Sequence, residues 1–119
     1  MPNPYGAPEI SVQEVSEKMD SGAQFILLDV RERHELAQAS FAEGTFEIVP
    51  LSELAQKKLD ALTPPLLDKN AEIIVFCHKG VRSAQVTVWL KQQGWTNVLS
   101  MAGGIDAWAK QIDPDVGMY

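Results

Sequence analysis

The chain has few of the side chains that build metal centres and disulfides. Its 119 residues contain one cysteine, Cys77, and two histidines. One cysteine excludes an internal disulfide and any multi-cysteine metal site, and two scattered histidines do not form a metal site by themselves. We therefore expect neither a metal nor a cofactor. A lone thiol also suits a reducing compartment, so we expect a cytoplasmic location.

The sequence also lacks a long apolar run and an excess of positive charge. No stretch approaches the roughly 20 apolar residues that a membrane-spanning helix needs, and no signal-peptide pattern opens the chain. Ten Lys and Arg residues are outnumbered by 16 Asp and Glu residues, which gives a net charge of -6. We therefore expect no binding to nucleic acid or to an anionic membrane.

The alternation of apolar runs and helical patterns predicts an α/β fold. Apolar residues make up 45% of the chain, which is enough for the core of one domain. We expect this domain to cover residues 1–119 and to act as a monomer. Residues 1–8 carry three prolines and are expected to form a loose N-terminal segment, and residues 113–119 a C-terminal tail. The predicted fold is a central parallel sheet of about five strands with helices on both faces. We predict strands over residues 9–10, 25–30, 46–49, 73–76 and 97–101, and helices over 11–20, 31–39, 51–62, 83–93 and 104–112.

The segment Cys77-His78-Lys79-Gly80-Val81-Arg82-Ser83 directly follows the apolar strand predicted over residues 73–76. It lies at the carboxyl end of that strand, where ligands bind in open α/β sheets. Gly80 lets successive amide groups turn toward one point, and the next helix adds the positive end of its dipole. Together with Lys79 and Arg82, these groups favour a thiolate at Cys77 and would bind an anion. The segment therefore predicts both a nucleophile and an anionic substrate.

A second interpretation of Cys77 is that it is only a small buried side chain, as most lone cysteines after apolar runs are. The neighbouring Lys79, Gly80 and Arg82 favour the reactive interpretation, because an inert thiol does not need a cationic turn around it. The ring of His78 is expected to point away from the nucleophile, although it could act as a base.

Three segments occur in order along the chain: Leu28-Asp29-Val30-Arg31-Glu32, the Cys77–Ser83 loop, and Leu99-Ser100-Met101-Ala102-Gly103-Gly104-Ile105-Asp106-Ala107-Trp108. Together they resemble the rhodanese family of single-domain sulfurtransferases, from about Ile10 to Trp108. The resemblance implies that Cys77 takes a sulfane sulfur from a donor such as thiosulfate, becomes a persulfide, and passes the sulfur to cyanide or another thiophilic acceptor. It also implies that His78, Lys79, Gly80, Val81, Arg82 and Ser83 form the loop that binds the donor and the persulfide.

The resemblance leaves two other functions open. Similar domains are fused behind adenylyltransferases that load sulfur carrier proteins, and residues 113–119 resemble their tails. A sulfur-carrier or thioredoxin-like protein could therefore accept the sulfur, or the domain could only dock. Some dual-specificity phosphatases share the fold, but their loop is one residue longer than the four residues that separate Cys77 from Arg82 here. The shorter loop favours sulfur, with phosphatase or arsenate reductase chemistry as the alternative.

The active-site rim departs from the family pattern. Many members carry a Gly-His-Ile-Pro-Gly-Ala type of segment before the third strand, whereas Ala39 to Thr45 has neither histidine nor proline. We expect this difference to affect the substrate rather than the chemistry at Cys77.

Asp29, Arg31 and Glu32 are candidate supporting residues. We expect Asp29 to orient the loop, and Arg31 to form a surface salt bridge with Glu32 or Glu35 rather than to reach the pocket mouth. Arg82 is either a substrate contact or a structural tie to Asp29 or Glu32.

Overall fold

The strands of the protein form one parallel sheet. The computed structural model describes residues 3–119, and its strands are β1 (Glu9–Ile10), β2 (Ile26–Asp29), β3 (Glu47–Ile48), β4 (Ile73–Phe76) and β5 (Val98–Met101). All neighbours pair in parallel, in the order β1-β5-β4-β2-β3. The predicted sheet of five parallel strands is therefore confirmed, with β4 at its centre and a two-residue strand at either edge.

Helices cover both faces of this sheet. They are α1 (Val12–Asp20), α2 (Leu51–Lys57), α3 (Val81–Gln92) and α4 (Gly104–Gln111). Short 3-10 helices span Arg33–Ala37, Lys58–Ala61, Pro64–Leu67 and Pro114–Val116. One apolar cluster contains residues of α2 and α3, and the other contains residues of α1 and α4. The predicted arrangement of helices on both faces is thus confirmed.

The central strand β4 is buried along its whole length, as its β-branched and aromatic residues predicted. Ile73, Val75 and Cys77 belong to the cluster on the α2 and α3 side, and Ile74 and Phe76 to the opposite cluster. Because side chains alternate along a strand, this register turns Cys77 toward the helix that follows it.

Three helix predictions need correction. The helix expected over residues 51–62 ends as an α-helix at Lys57, because Lys58 has a positive φ of 55° and the chain continues as a 3-10 helix. The helix expected over residues 31–39 is a 3-10 helix over Arg33–Ala37. The helix expected from Ser83 begins at Val81, since Gly80 already has the left-handed conformation that starts it. By contrast, α1 starts close to its predicted position, where Ser11 and Glu14 form a capping box.

The N-terminal residues that the structure describes form a hydrogen-bonded turn rather than a regular element. The side chain of Asn3 accepts N–H bonds from Tyr5 and Ala7 and donates to the carbonyl of Ala7. The expectation of a loose segment extends to Met1 and Pro2, which lie outside the described residues. Within residues 3–119, no helix combines the length and the apolar character that crossing a bilayer requires.

Candidate active site

The thiol of Cys77 lies at the carboxyl end of β4 and is contacted by backbone amides of the following turn. The Sγ atom accepts N–H bonds from Gly80 (3.1 Å) and Ser83 (3.3 Å). Gly80 has a φ of 101°, and this conformation lets the chain turn its amides toward the sulfur before α3 begins. These donors are placed to stabilise negative charge on the sulfur.

Two buried hydroxyl groups continue the contacts of the thiol into the core. The Oγ atom of Ser83 lies 3.5 Å from Cys77 Sγ and 2.8 Å from Ser100 Oγ. Both serines are fully buried, and Cys77 itself is 1% exposed. Ser100 was not among the predicted site residues. The sequence feature that marks Ser100 is a hydroxyl group within the otherwise apolar strand β5.

The turn at Gly103-Gly104 supports the Cys77 loop through its backbone. The N–H of Ile105 donates to the carbonyl of Cys77 (2.9 Å), and the N–H of Asp106 donates to the carbonyl of His78 (3.0 Å). Gly104 has a φ of 63°, and a Cβ atom there would lie 2.5 Å from each of those carbonyl oxygens. The third sequence signature therefore holds the loop in place by close backbone contact.

Arg82 forms a two-pronged ion pair with Glu35, which corrects the predicted tie to Asp29 or Glu32. Its Nη1 and Nη2 atoms donate to the two carboxylate oxygens of Glu35 at 2.6 and 2.9 Å. The hydrogen bond from Arg82 lowers the pKa of Glu35 from 4.5 to about 2. The same bond raises the pKa of Arg82. Both groups are therefore charged across the physiological pH range, and Glu35 fixes the direction of the guanidinium.

Arg31 is fully buried and pairs with Asp29, so the prediction of a surface salt bridge with Glu32 or Glu35 was wrong. The Asp29 carboxylate accepts bonds from the Arg31 backbone N–H (3.0 Å), Nε (3.0 Å) and Nη2 (2.8 Å). Burial lowers the pKa of Arg31, but hydrogen bonds to Asp29 and Tyr119 outweigh it and the pKa is raised overall. The Nη1 atom donates to the carbonyl of Ala39 at 2.8 Å. This ion pair therefore anchors the rim segment that starts at Ala39.

Glu32, Lys79 and Val81 are the other candidate residues. The Glu32 side chain accepts bonds from the N–H and the hydroxyl of Ser52, at the start of α2, rather than from the loop. Lys79 and Val81 are exposed. Val81 is 54% exposed, so the first residue of α3 presents its side chain to solvent.

Tyr119 contacts the site from the C-terminal tail and was not predicted. Its ring stacks on the His78 ring with centroids 3.7 Å apart, and His78 Nε2 donates to the backbone oxygen of Tyr119 (2.8 Å). Its hydroxyl donates to Glu35 Oε1 (2.9 Å) and accepts a bond from Arg31 Nη1 (3.2 Å). No pattern in the sequence marks a tyrosine this far along the chain as a neighbour of the loop.

Two of the three tryptophans belong to the apolar core. Trp95 and Trp108 are buried, and Trp95 Nε1 donates to the carbonyl of Leu66 (2.8 Å). Trp89 borders a cleft of about 250 Å³ between α2 and α3, and none of the Cys77–Ser83 residues lines this cleft.

Over residues 3–119, no group of three His, Cys, Asp or Glu side chains is placed to hold a metal ion.

These contacts describe a site for nucleophilic chemistry at sulfur. Such chemistry needs a thiolate, and the amide donors that contact Sγ would also stabilise an anion bound to it. The exposed Lys79 adds a positive charge to the loop, whereas the charge of Arg82 is balanced by Glu35.

Comparison with known proteins points to one family. The family model for the Rhodanese-like domain matches residues 11–111. The thiosulfate sulfurtransferase GlpE of Haemophilus influenzae is 37% identical over 102 residues, which cover 86% of this chain and 88% of that protein. A rhodanese-related protein from Thermoplasma volcanium superimposes with a TM-score of 0.70 at 28% identity, over 88% of this chain and 93% of its own.

Other relatives are much longer than this chain. The adenylyltransferase and sulfurtransferase MOCS3-1 of Zea mays is 32% identical over 112 residues, which cover 92% of this chain and 23% of that protein. The chain thus spans about a quarter of the length of the first curated relatives it matches. Since the family model covers residues 11–111 and the fold agrees with that of a rhodanese-related protein, the chain belongs to the family of rhodanese-like domains.

Proposed function

We propose that this protein is a sulfurtransferase that carries sulfane sulfur as a persulfide on Cys77. One observation carries the proposal: the Sγ atom accepts N–H bonds from both Gly80 and Ser83, so donors already converge where a sulfur anion would form. Belonging to the rhodanese-like family and the similarity to a thiosulfate sulfurtransferase support it.

The first step loads sulfur onto the enzyme. The Cys77 thiolate attacks the outer sulfur of thiosulfate, the bond between the two sulfur atoms of the donor breaks, and sulfite leaves with the electron pair. A new sulfur–sulfur bond forms on Cys77, and the terminal sulfur keeps one negative charge. The exposed Lys79 would attract the anionic donor. Because Cys77 is 1% exposed, a small donor such as thiosulfate suits the site better than a bulky one.

The second step returns the enzyme to its starting form. An acceptor such as cyanide attacks the terminal sulfur, the persulfide bond breaks, and thiocyanate leaves while the thiolate is restored. The amides of Gly80 and Ser83 contact Sγ, which is the leaving atom of this step, and stabilise its charge. No external oxidant or reductant is needed in either step.

A protein acceptor is the second candidate. The exposed Val81 lies beside the exposed Lys79 on the loop, which offers an apolar and a cationic contact to a partner. Longer relatives are named as both adenylyltransferase and sulfurtransferase. A sulfur-carrier or thioredoxin-like protein would fit this role, and we propose that the protein acts as a monomer in the cytoplasm.

Intact mass spectrometry after brief incubation with thiosulfate tests the proposal. The wild type should gain one sulfur atom, about 32 mass units, and Cys77→Ser should gain none. Cyanide should then remove the added mass and release thiocyanate, and reduced thioredoxin tests the protein acceptor in the same format. Absence of any mass gain, together with hydrolysis of an aryl phosphate, would replace the proposal with phosphatase chemistry.

A further inference from the structure

The C-terminal tail returns to the Cys77 loop along a defined path. After α4, the chain forms the 3-10 helix Pro114–Val116. The N–H of Ser40 donates to the carbonyl of Val116 at 2.8 Å, and the Val116 side chain packs on the cluster beneath α1 and α4. These contacts hold the tail so that Tyr119 lies beside the loop.

The Tyr119 hydroxyl completes the hydrogen bonding of Glu35. The Glu35 carboxylate accepts two bonds from Arg82, one from the Glu32 N–H (2.8 Å) and one from the Tyr119 hydroxyl (2.9 Å). The same hydroxyl accepts a bond from the buried Arg31. Tyr119 therefore connects Glu35, which is the partner of Arg82, to Arg31 of the buried ion pair at the end of β2.

The ring and the backbone oxygen of Tyr119 hold the other side of the loop. The ring stacks on His78 with the two planes 7° apart, and the backbone oxygen of Tyr119 accepts the Nε2 hydrogen of His78. His78 follows Cys77 directly, and Arg82 precedes Ser83, whose amide contacts the sulfur. One residue of the tail therefore contacts one end of the loop directly and the other end through Glu35.

We propose that Tyr119 is a positioning residue for sulfur transfer, which holds the amides of Gly80 and Ser83 on Cys77 Sγ by fixing Glu35 and His78. This inference rests on the proposed function for its kinetic consequence. Tyr119 acts through its two neighbours and takes no part in bond making. Its hydroxyl carries the effect on Arg82, and its ring carries the effect on His78.

A double-mutant cycle tests whether the hydroxyl acts through Glu35. The proteins are the wild type, Tyr119→Phe, Glu35→Gln and the double variant, with Tyr5→Phe as the matched control because Tyr5 is an exposed tyrosine away from the site. Sulfur loading from thiosulfate is measured by intact mass well below the unfolding temperature. Tyr119→Phe should lower the rate of sulfur loading about threefold to tenfold, as expected for one lost hydrogen bond. The double variant should load no more slowly than Glu35→Gln.

Amide hydrogen exchange at Gly80 and Ser83 supplies a readout that does not depend on turnover. Both amides should exchange faster in Tyr119→Phe and in Tyr119→Ala than in Tyr5→Phe. If the wild type takes up no sulfur but these amides respond, the proposed function fails while the positioning role stands. Unchanged exchange, or losses in the cycle that simply add, would overturn the role of Tyr119.

Discussion

Replacing Asp29 with asparagine should destabilise the fold more than any substitution in an exposed ion pair. Both side chains of the Asp29–Arg31 pair have no exposed surface. The change Asp29→Asn keeps the shape of the carboxylate but leaves the Arg31 charge buried without a counterion. It also turns an amide N–H group toward the N–H groups of the guanidinium. The substitution therefore removes the counterion without creating a cavity.

The size of the effect follows from the burial of the pair. Removing one partner of a buried ion pair costs about 3–5 kcal/mol, because the remaining charge is not solvated. A domain of this size has a free energy of unfolding of about 5–15 kcal/mol, so the loss is a large share of the total. With an m-value of about 2 kcal/mol per M, the urea midpoint should fall by about 2 M.

Urea unfolding followed by circular dichroism measures this effect, with Glu53→Gln as the control. Glu53 pairs with Arg33 at 3.2 Å, but the Arg33 side chain is 60% exposed, and removing such a pair costs less than about 1 kcal/mol. The reasoning would be refuted if Asp29→Asn lowered the free energy of unfolding no more than Glu53→Gln does.

Two further predictions concern the supports of the loop. Gly104→Ala should lower the unfolding free energy by at least about 2 kcal/mol, because the new Cβ meets two carbonyl oxygens at 2.5 Å. The control Gly22→Ala has a similar φ but open space, so it should lose only about 1 kcal/mol from the strained backbone conformation. Equal losses in the two variants would contradict the close contact at Gly104. Arg82 keeps the pKa of Glu35 near 2 in the folded protein, so this group stabilises the fold fully above pH 4.5 and loses its contribution as the pH falls toward 2. Between pH 4.5 and pH 2 the unfolding free energy of the wild type should therefore fall by about 2 kcal/mol more than that of Glu35→Gln. This is the value that the pKa difference gives after a reduction for the partial solvent exposure of the pair. Parallel curves for the two proteins would disprove it.

The fold was predictable because its strands carry a strong local signal. The run Ile73–Phe76 is β-branched and aromatic throughout, and a short run of this composition is typical of a strand buried on both faces. The capping residues Ser11 and Glu14 likewise marked the start of α1. The end of α2 carried no such mark, because Lys58 adopts a positive φ that a lysine side chain does not favour.

The position of the nucleophile was predictable, but its charged partners were not. Cys77 lies at the end of the central strand, and Gly80, three residues later, lets the chain turn its backbone amides toward the sulfur. The strand end and the glycine can both be recognised from the local sequence. Arg31 lies two residues from Asp29 and could have faced solvent, and its burial depends on the contact with Ala39 and on the tail. Glu35 and Tyr119 are 84 residues apart, and their contact follows from the complete topology rather than from a sequence pattern.

The shortness of the outer strands has a consequence for behaviour at high concentration. β1 and β3 each contain two residues, so either flank of the sheet presents very few unpaired amide and carbonyl groups to a neighbouring molecule. Growth of the sheet from one copy into the next needs a longer row of such groups. We therefore expect solutions of this protein to stay free of fibrous aggregates even when they are concentrated.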